Sequence, residues 1–166
     1  KYVQCAQLLS KPREASRICL SFAEKIKSNF QEFDLILSPA MGGIVIGYEI
    51  GRILNKETIF SERIEGEFKL RRGFTIKKDS KILIIEDVIT TGKSSLECSK
   101  LVDVAGGIII GYACIIDRSN GKSLIKNKIV SQIKLNIPTY NKDNLPNDLS
   151  LIEPLKPGSR NLKWIK

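Results

Sequence analysis

The sequence of 166 residues contains no histidine. Within these residues, that absence excludes the catalytic pairs in which histidine activates a serine or a cysteine, and it excludes metal sites built on imidazole. The four cysteines, Cys5, Cys19, Cys98 and Cys114, include no C-x-x-C pair. We therefore expect free thiols in a reducing cytoplasm, and a chemistry that relies on carboxylates, lysines, arginines, backbone amides and a divalent ion.

Aromatic residues and long apolar runs are also scarce. Aromatics make up 7% of the chain and do not alternate with basic residues, so the net charge of +9 does not predict nucleic-acid binding. The charge also fits a highly charged small substrate or a lysine-rich surface. No stretch approaches the roughly 20 apolar residues of a membrane helix, and no charged-then-apolar leader opens the chain, so we expect neither a membrane nor a secreted protein.

The most informative stretch is residues 81–95, which read KILIIEDVITTGKSS. Four consecutive aliphatic residues at 82–85 predict a strand that is buried on both faces. Glu86 and Asp87 stand where that strand ends. A short turn rich in hydroxyls follows, and apolar residues at helical spacing then predict a helix to about residue 104.

This order of residues indicates a particular ligand. Backbone N–H groups in a tight turn that leads into a helix form an anion site. Thr90, Thr91, Ser94 and Ser95 add hydroxyl groups, and Lys93 adds positive charge. The two upstream carboxylates suit vicinal hydroxyls or a metal bound to them, so the stretch as a whole fits a ribose 5-phosphate. For a lone acidic pair, the alternative is a strand end followed by a helix cap.

The rest of the chain alternates strand and helix patterns. Residues 2–6 read as a strand or an extended entry, and Ser10 and Pro12 predict the start of a helix of about eighteen residues. Further strands are predicted at 34–38, 58–61, 108–116 and 129–135, with a charged hairpin within 62–75. The resulting fold class is α/β, with a mostly parallel central sheet and helices on both faces. The turns at 39–43, 86–94 and 117–121 should then share one sheet edge.

Residues 81–92 resemble the phosphoribosyl diphosphate (PRPP) motif of the type I phosphoribosyltransferases: an aliphatic strand, two acidic residues and a Thr/Gly loop. The G-x-x-x-x-G-K spacing of a Walker A loop is absent. Residues 39–43 (PAMGG), 70–74 (LRRGF), 117–118 and 156–160 resemble the orotate enzymes of that family. The resemblance implies one domain over 1–166, with a small hood formed by the N-terminal and C-terminal segments, and further native residues before Lys1.

The resemblance also implies a reaction in pyrimidine biosynthesis, in which orotate and PRPP give orotidine 5′-monophosphate and pyrophosphate. Mg²⁺ would come with PRPP rather than through direct protein ligands. The PRPP-binding residues implied by matched position are Met41, Gly42, Glu86, Asp87, Val88, Ile89, Thr90, Thr91, Gly92, Lys93 and Ser94. The implied orotate-binding residues are Val3, Gln4, Thr90 and Arg118.

The sequence departs from well-known family members at one position and in one loop. Gly42 stands where they carry a lysine, and the loop that carries their lysine and histidine here offers only Arg63, Lys69, Arg71 and Arg72. We expect Asp87, Arg63 and Arg72 to be catalytic, and the resemblance implies a homodimer. A purine or uracil phosphoribosyltransferase, and a PRPP-binding regulator without catalysis, remain as alternatives.

Overall fold

The computed structural model describes residues 3–138, 140 and 144–152. These residues fall into two compact units, one formed by Cys5–Asn136 and the other by the described residues within 1–4 and 137–166. The first unit contains the predicted α/β fold. In the second unit the described part includes one short helix, Asn147–Ser150. The predicted hood depends largely on residues outside the described ranges, as does the 156–160 motif, so both stay predictions.

The first unit is built on a six-stranded sheet. Its strands are β1 (Leu35–Pro39), β2 (Glu57–Ile64), β3 (Glu67–Leu70), β4 (Lys81–Ile89), β5 (Ile108–Asp117) and β6 (Ile129–Lys134). They lie in the order β3-β2-β1-β4-β5-β6, and all neighbours are parallel except the β2–β3 hairpin. The sheet is therefore mostly parallel, as predicted, and the charged hairpin forms one of its edges.

Helices cover both faces of this sheet. They are α1 (Cys5–Leu9), α2 (Pro12–Asn29), α3 (Gly42–Leu54) and α4 (Lys93–Val104). On one face, Cys98 and Val102 of α4 share a buried cluster with Leu37 and Ile84. On the other face, α3 packs on β1, β2 and β4, and α2 packs on α3 and β6. Because β4 is covered on both sides, all of residues 82–85 are buried, which explains their continuous apolar run.

A row of glycines brings α3 unusually close to the sheet. Gly43, Gly47 and Gly51 recur every four residues, so they share one face of the helix. A Cβ atom at Gly47 would lie 2.2 Å from the Ser38 hydroxyl oxygen, and one at Gly51 would lie 2.0 Å from that of Thr58. Side chains at these positions would push the helix outward. The row therefore fixes where α3 begins, at the end of β1.

The N-terminal predictions need two corrections. The expected strand at 2–6 is wrong from Cys5 onward, because α1 begins there, and Tyr2 lies outside the described residues. Ser10 does not cap α2: its hydroxyl donates to the Gln7 carbonyl at 2.9 Å and so closes α1. Lys11 precedes α2 without a side-chain cap, and Pro12 opens the helix as predicted.

The carboxyl ends of β1, β4 and β5 meet at one edge, as predicted for parallel strands. Ile89 pairs in register with Asp117, and the Arg118 N–H donates to the Ile89 carbonyl at 2.8 Å. The ends of β4 and β5 are thereby joined, and the functional candidates of both strands lie together. Among the residues that the structure describes, no helix combines the length and the apolar character needed to cross a membrane.

Candidate active site

Glu86 and Asp87 are consecutive on β4, so their side chains leave opposite faces of the sheet. Glu86 lies on the α4 side, where the Ser95 hydroxyl donates to its Oε2 atom. Asp87 lies on the α3 side, beside Gly42. Each member of the acidic pair therefore contacts the start of a different helix, Glu86 that of α4 and Asp87 that of α3.

Burial sets the protonation of both carboxyls. It raises the pKa of Glu86 to about 7, while the Ser95 hydrogen bond lowers that pKa and the neighbouring charges of Asp87 and Glu97 raise it. Burial also raises the pKa of Asp87, against the Val88 N–H that donates to Oδ1 at 2.9 Å. Within the described ranges, neither carboxylate forms an ion pair. Hydroxyl donors or a cation on a ligand would stabilise such a pair.

Gly42 approaches Asp87 more closely than any other residue type allows. A Cβ atom built on Gly42 would lie 2.7 Å from both carboxylate oxygens of Asp87. The turn before α3 is exposed at Met41 and Gly42, and the Ala40–Met41 peptide bond is cis. A side chain at position 42 would therefore compete with the Asp87 carboxylate for the same space, which gives a local reason for glycine here.

The turn after β4 has the geometry of an anion site. Gly92 occupies the N-cap of α4 with a φ of 79°, in the left-handed region that favours glycine, and it supplies no side-chain cap. Among the first-turn N–H groups of α4, that of Lys93 donates to the Thr91 hydroxyl oxygen at a long 3.4 Å, while Gly92 brings no capping oxygen of its own. Thr90, Thr91 and Lys93 are exposed around them. An anion such as a phosphate would satisfy these donors.

A segment that the sequence analysis did not single out supports this turn. The Leu124 N–H donates to the Thr91 carbonyl at 2.9 Å. A Cβ atom at Gly92 would lie 2.8 Å from the Ile125 side chain and from the Ser123 hydroxyl oxygen. Residues 123–125 therefore hold the turn from behind. The only advance indication was the 119–121 turn, which sends the chain back toward β4.

Arg118 directly follows β5 and is half-buried. Its backbone is fixed on both sides, because its N–H donates to Ile89 and because Oδ1 of Asp117 accepts the Ser119 N–H at 2.8 Å. The other predicted orotate residues, Val3 and Gln4, are half-buried members of the second unit. Their grouping with Arg118 stays a prediction.

The two arginines predicted to be catalytic are both bound to carboxylates. Arg63 donates to Glu97 and lies over the Phe68 ring, 4.2 Å from its centroid. Arg72 forms a 2.8 Å ion pair with Glu62 and is largely exposed. Within the described ranges, neither arginine makes a hydrogen bond or an ion pair with Glu86 or Asp87. Their catalytic roles stay predictions.

The donor set indicates how a metal ion would bind. Among the described residues, no group of three or more Asp, Glu or Cys side chains is arranged to hold an ion. Two carboxylates on opposite faces of one strand do not form a cage. The expectation that Mg²⁺ comes with the substrate, without direct protein ligands, stays a prediction.

Comparisons with known proteins agree with this geometry. Residues 6–145 match the model of the phosphoribosyl transferase domain family. The structure resembles the adenine phosphoribosyltransferase of Thermoanaerobacter pseudethanolicus, with a TM-score of 0.69 at 19% identity over 81% of this chain and 88% of that chain. It also resembles the orotate phosphoribosyltransferase of Mycobacterium tuberculosis in complex with inorganic phosphate, with a TM-score of 0.66 at 18% identity over 81% and 78%. Fold and site together define a phosphoribosyltransferase.

Sequence comparison narrows the class. The chain is 44% identical to the orotate phosphoribosyltransferase of Sphingopyxis alaskensis over 97% of this chain and 83% of that protein. It is also 44% identical to that of Novosphingobium aromaticivorans over 96% of this chain and 82% of that protein. The chain belongs to the orotate phosphoribosyltransferase family.

Proposed function

We propose that this chain transfers the phosphoribosyl group of PRPP to orotate, forming orotidine 5′-monophosphate and pyrophosphate in pyrimidine biosynthesis. One observation carries the proposal: a phosphate-type turn, an acidic pair and a glycine turn meet at a single sheet edge, with Gly42 against Asp87. These three parts match the three parts of PRPP, namely a 5′-phosphate, a ribose diol and a diphosphate.

The binding roles follow from position. The α4 N-terminus and the hydroxyls of Thr90, Thr91 and Ser94 hold the 5′-phosphate, with Lys93 adding charge. Val88 and Ile89 supply the backbone that enters this turn. The carboxylates of Glu86 and Asp87 accept hydrogen bonds from the ribose hydroxyls.

The pyrophosphate side is formed by the turn before α3. Met41, the N-cap residue of α3, is exposed there and provides no side-chain cap. The backbone amides at Gly42 and Gly43 therefore face the leaving diphosphate without competition from a capping oxygen. The glycine side of the turn also lets the diphosphate approach the backbone closely.

In the reaction, the bond between the anomeric carbon and the diphosphate oxygen breaks, and a bond to a ring nitrogen of orotate forms. Positive charge develops on the ribose ring, and Asp87 stabilises it across a short distance in a partly buried site. The N–H proton of the orotate ring nitrogen passes to the departing diphosphate, and the fixed turns hold both reactants in line, so this histidine-free sequence need not supply an imidazole base. Mg²⁺, bound to PRPP, would add positive charge at the leaving diphosphate.

Arg118 supplies the cation for the carboxylate of orotate, beside Thr90. An arginine fork matches a carboxylate in geometry and in charge. Its fixed backbone at the end of β5 suits such a positioning role.

A loop cation must also meet the pyrophosphate, and we favour Arg72 over Arg63. Arg72 is 59% exposed, pairs with Glu62 and lies over the Phe60 ring at 5.7 Å from its centroid, and an ion pair with so exposed a member is weak enough to exchange for a diphosphate. Arg63 is more buried, is bound to Glu97 and stacks on Phe68, so its release would cost more. The proposal also includes a homodimer, which the family resemblance supports. It includes a cytoplasmic location, which the four free buried cysteines support.

Loss of orotate absorbance with PRPP and Mg²⁺ tests the reaction. We expect orotate to be consumed only when PRPP is present, with release of pyrophosphate. Adenine, guanine and uracil should not be consumed under the same conditions. Turnover of one of those bases instead would keep the PRPP site and overturn the base assignment. PRPP binding without turnover of any base would favour the regulator.

A further inference from the structure

Ser95 lies one residue beyond the hydroxyls assigned above to PRPP. It occupies the first turn of α4, and its side chain is completely buried. Its hydroxyl donates to Oε2 of Glu86, nine residues earlier in the chain. A phosphate held by the exposed face of the turn would not reach a buried hydroxyl, so Ser95 needs a different explanation from Thr90 and Thr91.

The surroundings of Glu86 show why a neutral donor matters. The charged and titratable groups around it are Asp87 on β4, Glu97 and Cys98 on α4, and Cys114 on β5. Arg63 of β2, whose charge acts on the neighbouring Cys98, is itself paired with Glu97. Within the described residues, Ser95 is thus the side chain that donates to this carboxylate.

We propose that Ser95 is a positioning residue that holds Glu86 by Oε2, so that Glu86 presents its other oxygen, Oε1, to a ribose hydroxyl of PRPP. The proposal rests on the proposed function, because it deepens the role of the same site. Burial raises the pKa of Glu86 to about 7, and the Ser95 hydrogen bond opposes that increase. Removing the hydroxyl therefore favours the protonated form, which binds a diol less well.

The test is the pH profile of kcat/KM for PRPP at saturating orotate and Mg²⁺. In Ser95→Ala, we expect the midpoint of the acidic limb to move upward by about one pH unit, since a hydrogen bond to a charged group is worth roughly one to two pKa units. Ser95→Thr, which keeps a hydroxyl, should retain the original midpoint. A slower Ser95→Ala enzyme with an unmoved midpoint would overturn the proposal.

Ser99 provides the matched control. It is a buried serine one turn further along α4, and its hydroxyl donates within the helix to the Leu96 carbonyl at 2.8 Å. Ser99→Ala should leave the acidic limb in place, and an equal movement would show that any cavity in α4 has this effect. Should Ser95→Ala fail to fold, Ser95→Cys offers a weaker donor, and an unmoved limb there would contradict the proposal.

A double-mutant cycle excludes a purely structural role. In a Glu86→Gln background, Ser95→Ala should cost little further rate, because the partner that it positions no longer titrates. The same loss in both backgrounds would show that Ser95 acts independently of Glu86.

Calorimetric titration of Mg²⁺–PRPP, without orotate, separates this proposal from the proposed function. The ionisation of the ligand's own phosphate near pH 6 is common to all variants and cancels in the comparison. If wild type binds PRPP but does not consume orotate, the reaction assignment fails, and the shifted binding profile of Ser95→Ala still supports the Ser95 role. If orotate is consumed and the binding profiles coincide, the Ser95 role fails alone.

Discussion

Two turns at the same sheet edge, which we propose hold the two anionic parts of PRPP, are built in opposite ways. The hydroxyl turn, residues 90–95, surrounds the start of α4 with threonines, serines and a lysine. The glycine turn, residues 41–43, clears side chains from the start of α3. In neither helix does the N-cap side chain accept a hydrogen bond, and in the hydroxyl turn the Lys93 N–H donates to the Thr91 hydroxyl oxygen at 3.4 Å.

Asp87 explains the difference between the turns. Its carboxylate occupies the space that a Cβ atom at Gly42 would need, whereas Glu86 faces the other helix and is held by Ser95. The glycine turn has no room for a side chain at position 42 because the Asp87 carboxylate, which we propose is catalytic, lies against it. The hydroxyl turn instead meets its carboxylate, Glu86, through a polar side chain, that of Ser95.

The largest expected effect comes from Asp87, which the glycine turn contacts. Asp87→Asn keeps the shape and removes the charge, so we expect turnover to fall at least ~10-fold, the lower range for a positioned electrostatic contact. Steady-state orotate consumption measures this. Asp79→Asn, at an exposed turn, is the matched control and should leave turnover unchanged. Near-normal turnover in Asp87→Asn would remove Asp87 from the site.

Arg118 at the end of β5 tests whether the effects are local. Arg118→Ala should raise the KM for orotate by about tenfold, the cost of one charge-assisted hydrogen bond, with little change in PRPP binding. Calorimetry with each substrate separates the two affinities. Arg13→Ala, exposed on α2, controls for the loss of a positive charge. Equal losses for both substrates would refute the division of roles.

A substitution at Gly42 tests the comparison of the two turns at the glycine turn. Gly42→Ala adds a Cβ atom 2.7 Å from the Asp87 carboxylate, so that carboxylate must move. We expect kcat to fall by about 3- to 10-fold, since small misplacements of catalytic groups are costly, while thermal stability stays close to wild type. Val45→Ala, exposed on the same helix, should leave kcat unchanged. Full activity in Gly42→Ala would show that the close approach has no function.

A substitution at Glu86, on the α4 face of the sheet, tests the comparison through the pH dependence of unfolding stability. Its pKa rises from an ordinary value of 4.5 to about 7 in the folded chain, chiefly because of burial. Between those pH values the folded state binds the proton that the unfolded chain releases, so wild-type stability falls as pH rises through this window. Glu86→Gln escapes that loss and should gain about 1–3 kcal/mol at pH 8, and little at pH 4.5.

Thermal unfolding at the two pH values measures the effect. Glu24→Gln, at an exposed position on α2, is the matched control and should show no pH-dependent gain. A Glu86→Gln variant that is equally stabilised at pH 4.5 and pH 8 would indicate that packing, rather than ionisation, accounts for the change.

The strand–turn–helix units were predictable because apolar runs and helical stripes depend on local pattern, and the gathering of three turns followed from parallel strands. The start of α1 was missed because Cys5–Leu9 is too short for a period to appear. The packing of residues 123–125 on Gly92, the ion pair of Arg63 with Glu97, and the contact of Gly42 with Asp87 join residues 31 to 45 positions apart. Only the folded arrangement reveals such pairs.

The central claim is that the glycine turn and the acidic strand end work as one unit, and a double-mutant cycle tests it most directly. Orotate consumption is measured for wild type, Gly42→Ala, Asp87→Asn and the double variant. We predict that the double variant is slower than Asp87→Asn by no more than about twofold, because residues in contact share their energetic effects. Losses that multiply would show that Gly42 and Asp87 act independently, and would contradict this account of the site.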